Sequence, residues 1–357
     1  MERYLSSGNF GNTYIVQNTT FGDQLVMKEF YLRGYCYRTQ DGHTVSITSS
    51  VKPESVELHR EKFKKEAHRL RSLTSSHVVH VHDLFEENDT VYYVMDFVQG
   101  KSLADYMEQQ HKPLTEPQVL FILGQLLDAL DDVHSKSIWH LDLKPDNIMM
   151  DGNGRVTIID FGASKQMGQR GSYSGTTSVL CYTPGFAALE QVSQDLDHVG
   201  PWTDIYALGA TLYNLLTNQM PALQPVSAYT FPATISPQTR QLLGWMLQLE
   251  RQNRPQSIAE IRKFMSGQAN AAPVAPKAQP TPATPTPPKA QATPATPTPP
   301  RVQAAGGEDK FLKVLNGFGR FFTKFGKGFV RFFTKFGKGF VRFFVKFGKG
   351  VGRLFKK

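Results

Sequence analysis

The segment HLDLKPDN (140–147) decides the fold of this chain, together with IIDFG (158–162) shortly after it. The first segment places Asp142 two residues before Lys144 and five residues before Asn147. The second segment ends an apolar run with an aspartate. A carboxylate that can take a proton, a lysine, an amide and a second carboxylate form a compact set for phosphoryl transfer with Mg²⁺. The two segments rarely occur by chance in this order and at this spacing.

A glycine-rich stretch lies near the N-terminus, LSSGNFGNTYIV (5–16). Glycines let the backbone of a hairpin approach phosphates closely, although a Gly-rich turn often only makes a turn. Ser6 stands where the first glycine of a G-x-G-x-x-G pattern falls, and Gly8 and Gly11 remain. On its own this stretch is a weak indication of a phosphate-binding loop.

Two charged residues further along the chain fit the same chemistry. Lys28 follows an apolar strand in LVMKEF (25–30), so its amine can reach phosphates, although a lysine at a strand end is commonly just solvated. Glu66 lies in FKKEAHRLRSL (63–73), a predicted helix. From there Glu66 could pair with Lys28, or it could be an ordinary surface residue.

The order of the predicted elements indicates the fold class. Apolar β-rich runs such as TVYYVMDFV (90–98) come first, and long helical patterns such as EPQVLFILGQLLDALDDVHS (116–135) come later. This order predicts an α+β protein in which a small β-rich lobe is followed by a larger helical lobe.

Together these segments make residues 1–266 resemble a protein kinase of the Ser/Thr type, most similar to the bacterial (eukaryotic-like) Ser/Thr kinases. The resemblance implies the bilobal kinase fold, ATP and Mg²⁺ as cofactors, and transfer of the γ-phosphoryl group to Ser or Thr of protein substrates. The non-enzyme alternative is a pseudokinase-like scaffold or binding module. That alternative predicts the loss of a key polar residue of the motifs, and all of them are present.

The resemblance implies roles for individual residues. Asp142 would be the catalytic residue that accepts the proton of the substrate hydroxyl, and Lys144 would neutralise charge on the γ-phosphate. Asn147 and Asp160 would bind Mg²⁺. The implied ATP-binding set comprises Ser6, Gly8, Gly11, Lys28, Glu66, Asp96 and Val98, with Lys28 held by Glu66.

The segment before residue 100 also resembles the adenine hinge of the family. Met95 would be the gatekeeper, and Asp96 and Val98 would offer backbone groups to adenine. Three later segments resemble the end of an activation segment and the core of the larger lobe, namely YTPGFAALEQ (182–191), DIYALG (204–209) and NRP (253–255).

Four residues in these later segments take implied structural roles. Thr183 would lie near the catalytic aspartate, Asp204 would brace the catalytic loop, and Arg254 would be the buried partner of Glu190. The DLKPDN sequence of the catalytic loop favours Ser/Thr over Tyr specificity.

Three departures from the family pattern stand out. Leu141 occupies the position of an arginine that in many kinases pairs with a phosphate on the activation loop. We therefore expect basal activity that depends little on phosphorylation of the loop residues 176–178. Leu189 replaces a proline, which we expect to loosen a local turn. The spacing from Lys28 to Glu66 is long, which indicates an inserted loop or hairpin around 31–55, either a docking site for a regulator or a passive insertion.

The average composition conceals two differently charged parts. The net charge is +9, yet 14 Lys/Arg and no Asp/Glu follow residue 309, so residues 1–309 carry a net charge of −5. Such asymmetry predicts an anionic partner for the basic end.

The two cysteines indicate a reducing compartment, and neither a secretory signal nor a spanning helix is recognisable.

These features divide the chain into a kinase domain (1–268), a linker (269–308) and a tail (309–357). The linker repeats KAQPTPATPTPP as KAQATPATPTPP, and so much proline predicts an extended polyproline II-like spacer. It could instead be a ligand for a proline-recognition domain.

The tail repeats RFFTKFGKGFV every 11 residues. That period is close to three helical turns, so on a helix the Phe side chains separate from the Arg and Lys side chains. The pattern predicts an amphipathic helix on an anionic membrane surface, formed by 309–357. We expect a cytoplasmic protein held at the inner face of the membrane. Self-association, packing on the kinase domain, nucleic acid and membrane disruption are the alternatives for the tail, and nucleic acid is not the expected partner.

Overall fold

The structure is a computed structural model and describes residues 3–7, 11–166 and 182–268. They fall within the first of two units of the chain, Met1–Pro280, and the second unit, Thr281–Lys357, lies outside the described residues. The predictions that lie outside the described residues concern Gly8, the loop residues 176–178, the linker 269–308 and the tail 309–357.

A five-stranded antiparallel sheet forms the N-terminal lobe, in the order β1-β2-β3-β7-β6. Strand β7 runs opposite β3, and its first four residues are all buried because both faces of the strand are covered. The strands are β1 (Arg3–Ser7), β2 (Gly11–Gln17), β3 (Gln24–Phe30), β6 (Val81–Glu87) and β7 (Thr90–Asp96).

The long connection between β3 and the next helix contains a small hairpin, β4 (Cys36–Arg38) and β5 (Val45–Ile47). The hairpin leads into helix α1 (Pro53–Ser72), which begins ten residues before the helical segment that the sequence indicated. Pro53 suits the first helical position because its missing N–H would have no partner there. The inserted segment is therefore folded, and its last residues belong to α1.

The C-terminal lobe is larger and mostly helical. Helix α3 has the predicted bounds, and α5 is buried around almost its whole circumference, as expected for a central helix. The helices are α2 (Leu103–Gln110), α3 (Glu116–Ser135), α4 (Leu189–Val192), α5 (Pro201–Thr217), α6 (Pro237–Met246) and α7 (Ile258–Met265). Short 3-10 helices lie at Pro145–Asn147, Leu196–His198, Val226–Ala228 and Arg251–Asn253.

Short strands complete this lobe and hold the polar loops. Strand β10 pairs with β11 and with β8, and β9 pairs with β12. Their bounds are β8 (Lys101–Ser102), β9 (Ile138–Trp139), β10 (Ile148–Met150), β11 (Val156–Ile158) and β12 (Lys165–Gln166). The β-rich lobe followed by a helical lobe, predicted from the order of the elements, is confirmed. Within the described ranges, we find no helix with the length and apolarity needed to cross a membrane.

Candidate active site

Lys28 lies at the centre of a network of charges in the cleft between the lobes. Its ammonium is 3.1 Å from Glu66 Oε1 and 3.2 Å from Asp160 Oδ1. Glu66 is held in place by the hydroxyl of Tyr93, which donates to Oε1 over 2.8 Å. Burial alone would lower the pKa of Lys28, but the carboxylates of Asp160 and Glu66 outweigh it and raise that pKa well above the ordinary value. Lys28 is therefore a fixed cation between two carboxylates.

The two partners of Lys28 come from distant parts of the chain. Glu66 is buried on α1, which packs beside the sheet, and Asp160 follows β11 in the other lobe. Burial alone would raise the pKa of Asp160, but the nearby Lys28 and the backbone N–H of Gly162 hold it below the ordinary value. The carboxylate of Asp160 is 44% exposed, so it remains open to a ligand in the cleft.

The catalytic loop surrounds Asp142 with donors. Thr183 Oγ1 donates to Asp142 Oδ1 over 2.6 Å, and Lys144 Nζ donates to Asp142 Oδ2 over 2.8 Å. Lys144 also donates to Thr183 Oγ1 over 2.7 Å. The three side chains therefore form a closed triangle, although Thr183 lies 41 positions along the chain from Asp142.

Asn147 closes the other side of the same loop. Its amide donates to the backbone carbonyl of Asp142 over 2.8 Å and to Asp142 Oδ2 over 3.1 Å. The backbone carbonyl of Asn147 accepts from the N–H of Ile159 over 3.0 Å, next to Asp160. Because β10 and β11 pair just beyond these residues, Asn147 and Asp160 lie at neighbouring ends of one hairpin.

The donor set of this hairpin end suits Mg²⁺. Over the described residues, no group of three or more His, Cys, Asp or Glu side chains is arranged to hold a metal ion. A Mg²⁺ that binds together with phosphates needs only one or two protein oxygens, since water and phosphate complete its octahedron. The amide of Asn147, whose nitrogen is directed to Asp142, and the exposed carboxylate of Asp160 can supply those oxygens.

A buried aspartate braces the catalytic loop. Asp204 on α5 accepts hydrogen bonds from the backbone N–H groups of His140 (2.9 Å) and Leu141 (2.8 Å) and from His134 Nε2 (2.9 Å). Leu141 has a φ of +65°, a left-handed conformation that is rare for leucine, so the brace holds a strained turn. Burial alone would raise the pKa of Asp204, but its hydrogen bond with His134 and the loop N–H groups hold it low.

A buried ion pair joins the start of α4 to the end of the lobe. Both guanidinium Nη atoms of Arg254 contact the Glu190 carboxylate, at 2.7 and 3.1 Å. Thr203 donates to the same carboxylate over 2.8 Å, and the remaining donors of Arg254 bind backbone carbonyls. A buried pair of charges is stable only when its polar atoms are satisfied in this way. Leu189 begins α4, and its carbonyl accepts from Ser193 N over 2.8 Å, so the turn around it is formed.

The predicted hinge residues lie at the end of β7 and just after it. The N–H of Asp96 donates to His80 O over 3.1 Å, so its carbonyl is the group that could serve adenine. Val98 is the second residue after β7 and is half-buried. Met95, at the gatekeeper position, is buried.

In the glycine-rich stretch, Ser6 is exposed on β1 and Gly11 begins β2. A Cβ on Gly11 would lie 2.3 Å from the carbonyl of Glu29, so close packing of β2 against β3 already requires glycine there.

Sequence reasoning missed several residues that support the site. Tyr93 could have been found from strand pairing, because it is the β7 residue opposite Lys28. The sequence gives no comparable indication for His134, since this residue lies inside the predicted helix α3 and contacts Asp204 only in the folded chain. Arg69 on α1 donates to Ser164 O over 2.5 Å and thereby joins the helix to the segment after Asp160.

Comparison with known proteins gives a consistent result. A family model described as "Protein kinase domain" matches residues 2–265. Serine/threonine-protein kinase D of Synechocystis sp. is 35% identical over 225 residues, which cover 61% of this chain and 40% of that protein. CBL-interacting serine/threonine-protein kinase 16 of Arabidopsis thaliana is 28% identical over 290 residues, which cover 76% of this chain and 57% of the relative.

A bacterial relative and a solved structure agree with these matches. The probable serine/threonine-protein kinase PknB of Lactococcus lactis is 28% identical over 220 residues, covering 61% of this chain and 31% of its own length. A structure described as the apo form of PpkA-294 has a TM-score of 0.63 and 26% identity, and covers 74% of this chain and 94% of that one. The chain spans less than two thirds of the length of these curated relatives. The match over 2–265, on a bilobal fold with these polar residues gathered in the cleft, shows that the chain belongs to the protein kinase family.

Proposed function

We propose that this chain is an ATP-dependent serine/threonine protein kinase. The triangle of Asp142, Lys144 and Thr183 carries the proposal. It places a proton acceptor, a cation and a hydroxyl of the protein within hydrogen-bonding distance of one another. The names of the relatives above support the same activity.

Each residue of the site would have its own role in the reaction. The oxygen of a substrate Ser or Thr attacks the γ-phosphorus of ATP, the bond from that phosphorus to the β–γ bridging oxygen breaks, and ADP leaves. Asp142 receives the hydroxyl proton, and Lys144 offsets charge on the transferred group. Lys28, fixed by Glu66 and Asp160, orients the other phosphates. When Mg²⁺ is bound, Asn147 and Asp160 would hold it, and its charge offsets that of the phosphates.

The experiment compares phosphate transfer from radiolabelled ATP by the wild-type chain and by Asp142→Asn. Loss of the general base should lower the rate by about 100-fold or more. Asp128→Asn is the matched control, since that aspartate is 56% exposed on α3 and its ion pair among the described residues is with the surface residue Arg262. Equal rates for wild type and Asp142→Asn would favour the pseudokinase-like scaffold instead.

We infer further that this activity does not require a phosphorylated activation loop. Leu141 is 1% exposed and packs with Trp139 and Val199 in a small apolar cluster. An apolar cluster offers no partner to a phosphate. The segment after Asp160 is attached to α1 instead by Arg69, without a phosphate. Phosphatase treatment should leave the transfer rate unchanged, and abolished activity would contradict this inference.

The location of the kinase is a separate proposal that rests on the sequence pattern alone. The tail 309–357 carries a Phe stripe beside a basic stripe, which suits an anionic membrane surface. Flotation of the full chain and of 1–308 with vesicles containing phosphatidylserine tests it. We expect only the full chain to float. Equal flotation of the two would refute the anchor, and loss of binding on adding competitor DNA would favour the nucleic-acid alternative.

A further inference from the structure

Strand β3 carries a second charged residue beside Lys28. Side chains alternate between the two faces of a strand, so Glu29 points away from the cleft, toward the outer face of the sheet. Glu29 is nevertheless only 1% exposed. A buried carboxylate is costly unless it is paired and hydrogen-bonded, so the groups that cover it need an explanation.

Four side chains donate to the Glu29 carboxylate. Three of them come from the neighbouring strands, namely Asn12 Nδ2 at 2.9 Å, Tyr14 OH at 3.0 Å and Tyr92 OH at 3.1 Å. The fourth is Arg38, whose Nη2 lies 2.7 and 2.5 Å from the two carboxylate oxygens. The cation that pairs with this buried carboxylate is 29% exposed and comes from the inserted hairpin, and not from the sheet itself.

Hydrogen bonds and core packing hold the hairpin that carries Arg38. The other Nη atom of Arg38 donates to His43 O over 2.7 Å, across the hairpin. Val45 on β5 donates to the carbonyl of Asn88 in the β6–β7 turn over 2.9 Å. Val45 is buried in the same core as Val56 in the first turns of α1. The hairpin is thus joined to the sheet and to the helix that carries the partner of Lys28.

The same insertion also reaches the glycine-rich stretch. Arg33 Nη2 donates to Ser7 Oγ at the end of β1 over 2.8 Å. The insertion therefore contacts β1 and β3 and leads into α1. These three elements carry Ser6, Lys28 and Glu66 of the predicted ATP-binding set.

We propose that Arg38 is a positioning residue for Lys28, acting through Glu29. Pairing on the outer face fixes the backbone of β3 from the side opposite the cleft, and so fixes the strand position from which Lys28 reaches the phosphates. This inference rests on the proposed function, because Lys28 binds phosphates there. It also assigns a role to the insertion, which the sequence left open between a docking site and a passive segment.

The test measures binding of a fluorescent ATP analogue with Mg²⁺, the KM for ATP, kcat and thermal unfolding, all on the full chain. Arg38→Met should weaken nucleotide binding and raise the KM by about tenfold, because small misplacements of a binding group are expensive. Arg38→Lys, which keeps a cation, should recover most of the affinity. Arg262→Met is the matched control, since its pair with Asp128 is exposed on the other lobe.

A double variant keeps the test decisive if Arg38→Met alone fails to fold. Glu29→Gln with Arg38→Met removes both charges, so no unpaired buried carboxylate remains. We expect it to fold with an unfolding temperature near that of the wild type and to show the same loss of nucleotide affinity. A folded double variant with wild-type affinity and KM overturns the proposal, since Arg38 would then contribute stability alone.

The wild-type measurements separate this proposal from the proposed function. A wild type that binds nucleotide but transfers no phosphate overturns the proposed function, while the binding data still decide the role of Arg38. A wild type that binds no nucleotide overturns both.

Discussion

Lys28 and Glu29 are neighbours on strand β3, but they lie on opposite faces of the sheet and differ in how far their charged partners are exposed. On the cleft face, Lys28 shares two carboxylates, Glu66 and Asp160, at 3.1 and 3.2 Å, and the side chain of Asp160 is 44% exposed. On the outer face, Glu29 is almost completely buried and contacts Arg38 at shorter distances, with three further donors. One network is open to a ligand, and the other is closed.

This difference shows how a strand can serve binding and stability at once. A charge that must meet phosphates needs partners that can be exchanged or shared, so part of its network stays exposed. A carboxylate buried away from the cleft, such as Glu29, must be satisfied by groups of the protein itself. Changes on the cleft face should therefore affect function most, and changes on the outer face should affect folding most.

Lys28→Met should give the largest effect. Removal of the cation that faces the phosphates is expected to lower phosphate transfer by about 1,000-fold, as for other preorganised electrostatic groups. Its stability should fall less than that of Glu29→Ala, because the Asp160 side chain is 44% exposed and solvent can partly replace the lost ion pair. Transfer from radiolabelled ATP and thermal unfolding measure both, with Lys263→Met on the exposed face of α7 as the control. A loss of stability as large as that of Glu29→Ala would contradict the idea that the cleft face serves binding and the outer face serves folding.

Glu29→Ala should give the next largest effect, and on stability. It leaves the hydroxyls of Tyr14 and Tyr92 and the guanidinium of Arg38 without their acceptor, which should lower the free energy of unfolding by about 3 kcal/mol. Urea denaturation measures this change. Glu108→Ala, on the exposed side of α2, should change it by less than about 0.5 kcal/mol. Equal losses of unfolding free energy in the two variants would show that the hydrogen bonds of Glu29 stabilise the fold no more than an exposed glutamate does.

The cleft face should also show a pH dependence of stability. Lys28 helps to hold the pKa of Asp160 below its ordinary value, although burial opposes this. The unfolded chain therefore binds the proton more readily, so this contribution is present above about pH 4 and is lost as the pH falls through the lower pKa of the folded state. Urea denaturation at a series of acidic pH values should show a shallower decline for Lys28→Met than for the wild type. Parallel declines would contradict the assignment.

Arg262→Met should give the smallest effect. It is the control with which the variants on both faces of β3 are compared. Its ion pair with Asp128 is 2.6 Å long, but the two side chains are 42% and 56% exposed. Solvent screens such pairs, so the free energy of unfolding should fall by at most about 1 kcal/mol. Phosphate transfer should not change. A larger loss in urea denaturation would mean that surface pairs of this protein cannot serve as controls.

Local patterns explain why much of the fold could be predicted. The apolar spacing of α3 gave its bounds, and the apolar run before Lys28 gave β3, since period and side-chain size act over a few residues. Helix α1 was predicted too short because its first turns are largely exposed, and its start depends on Pro53 and on the hairpin before it. The hairpin itself was only expected as an excess of length, since its strands have three residues each.

By itself, the sequence determined the chemical groups of the site and their order, because motifs such as HLDLKPDN bring their residues together within one turn of backbone. It also determined the charge asymmetry between residues 1–309 and the tail. Only the tertiary structure decided which distant groups meet. Thr183 contacts Asp142, His134 contacts Asp204, and Arg38 contacts Glu29. Such pairings depend on strand register, burial and the packing of whole elements, and no short stretch of sequence contains that information.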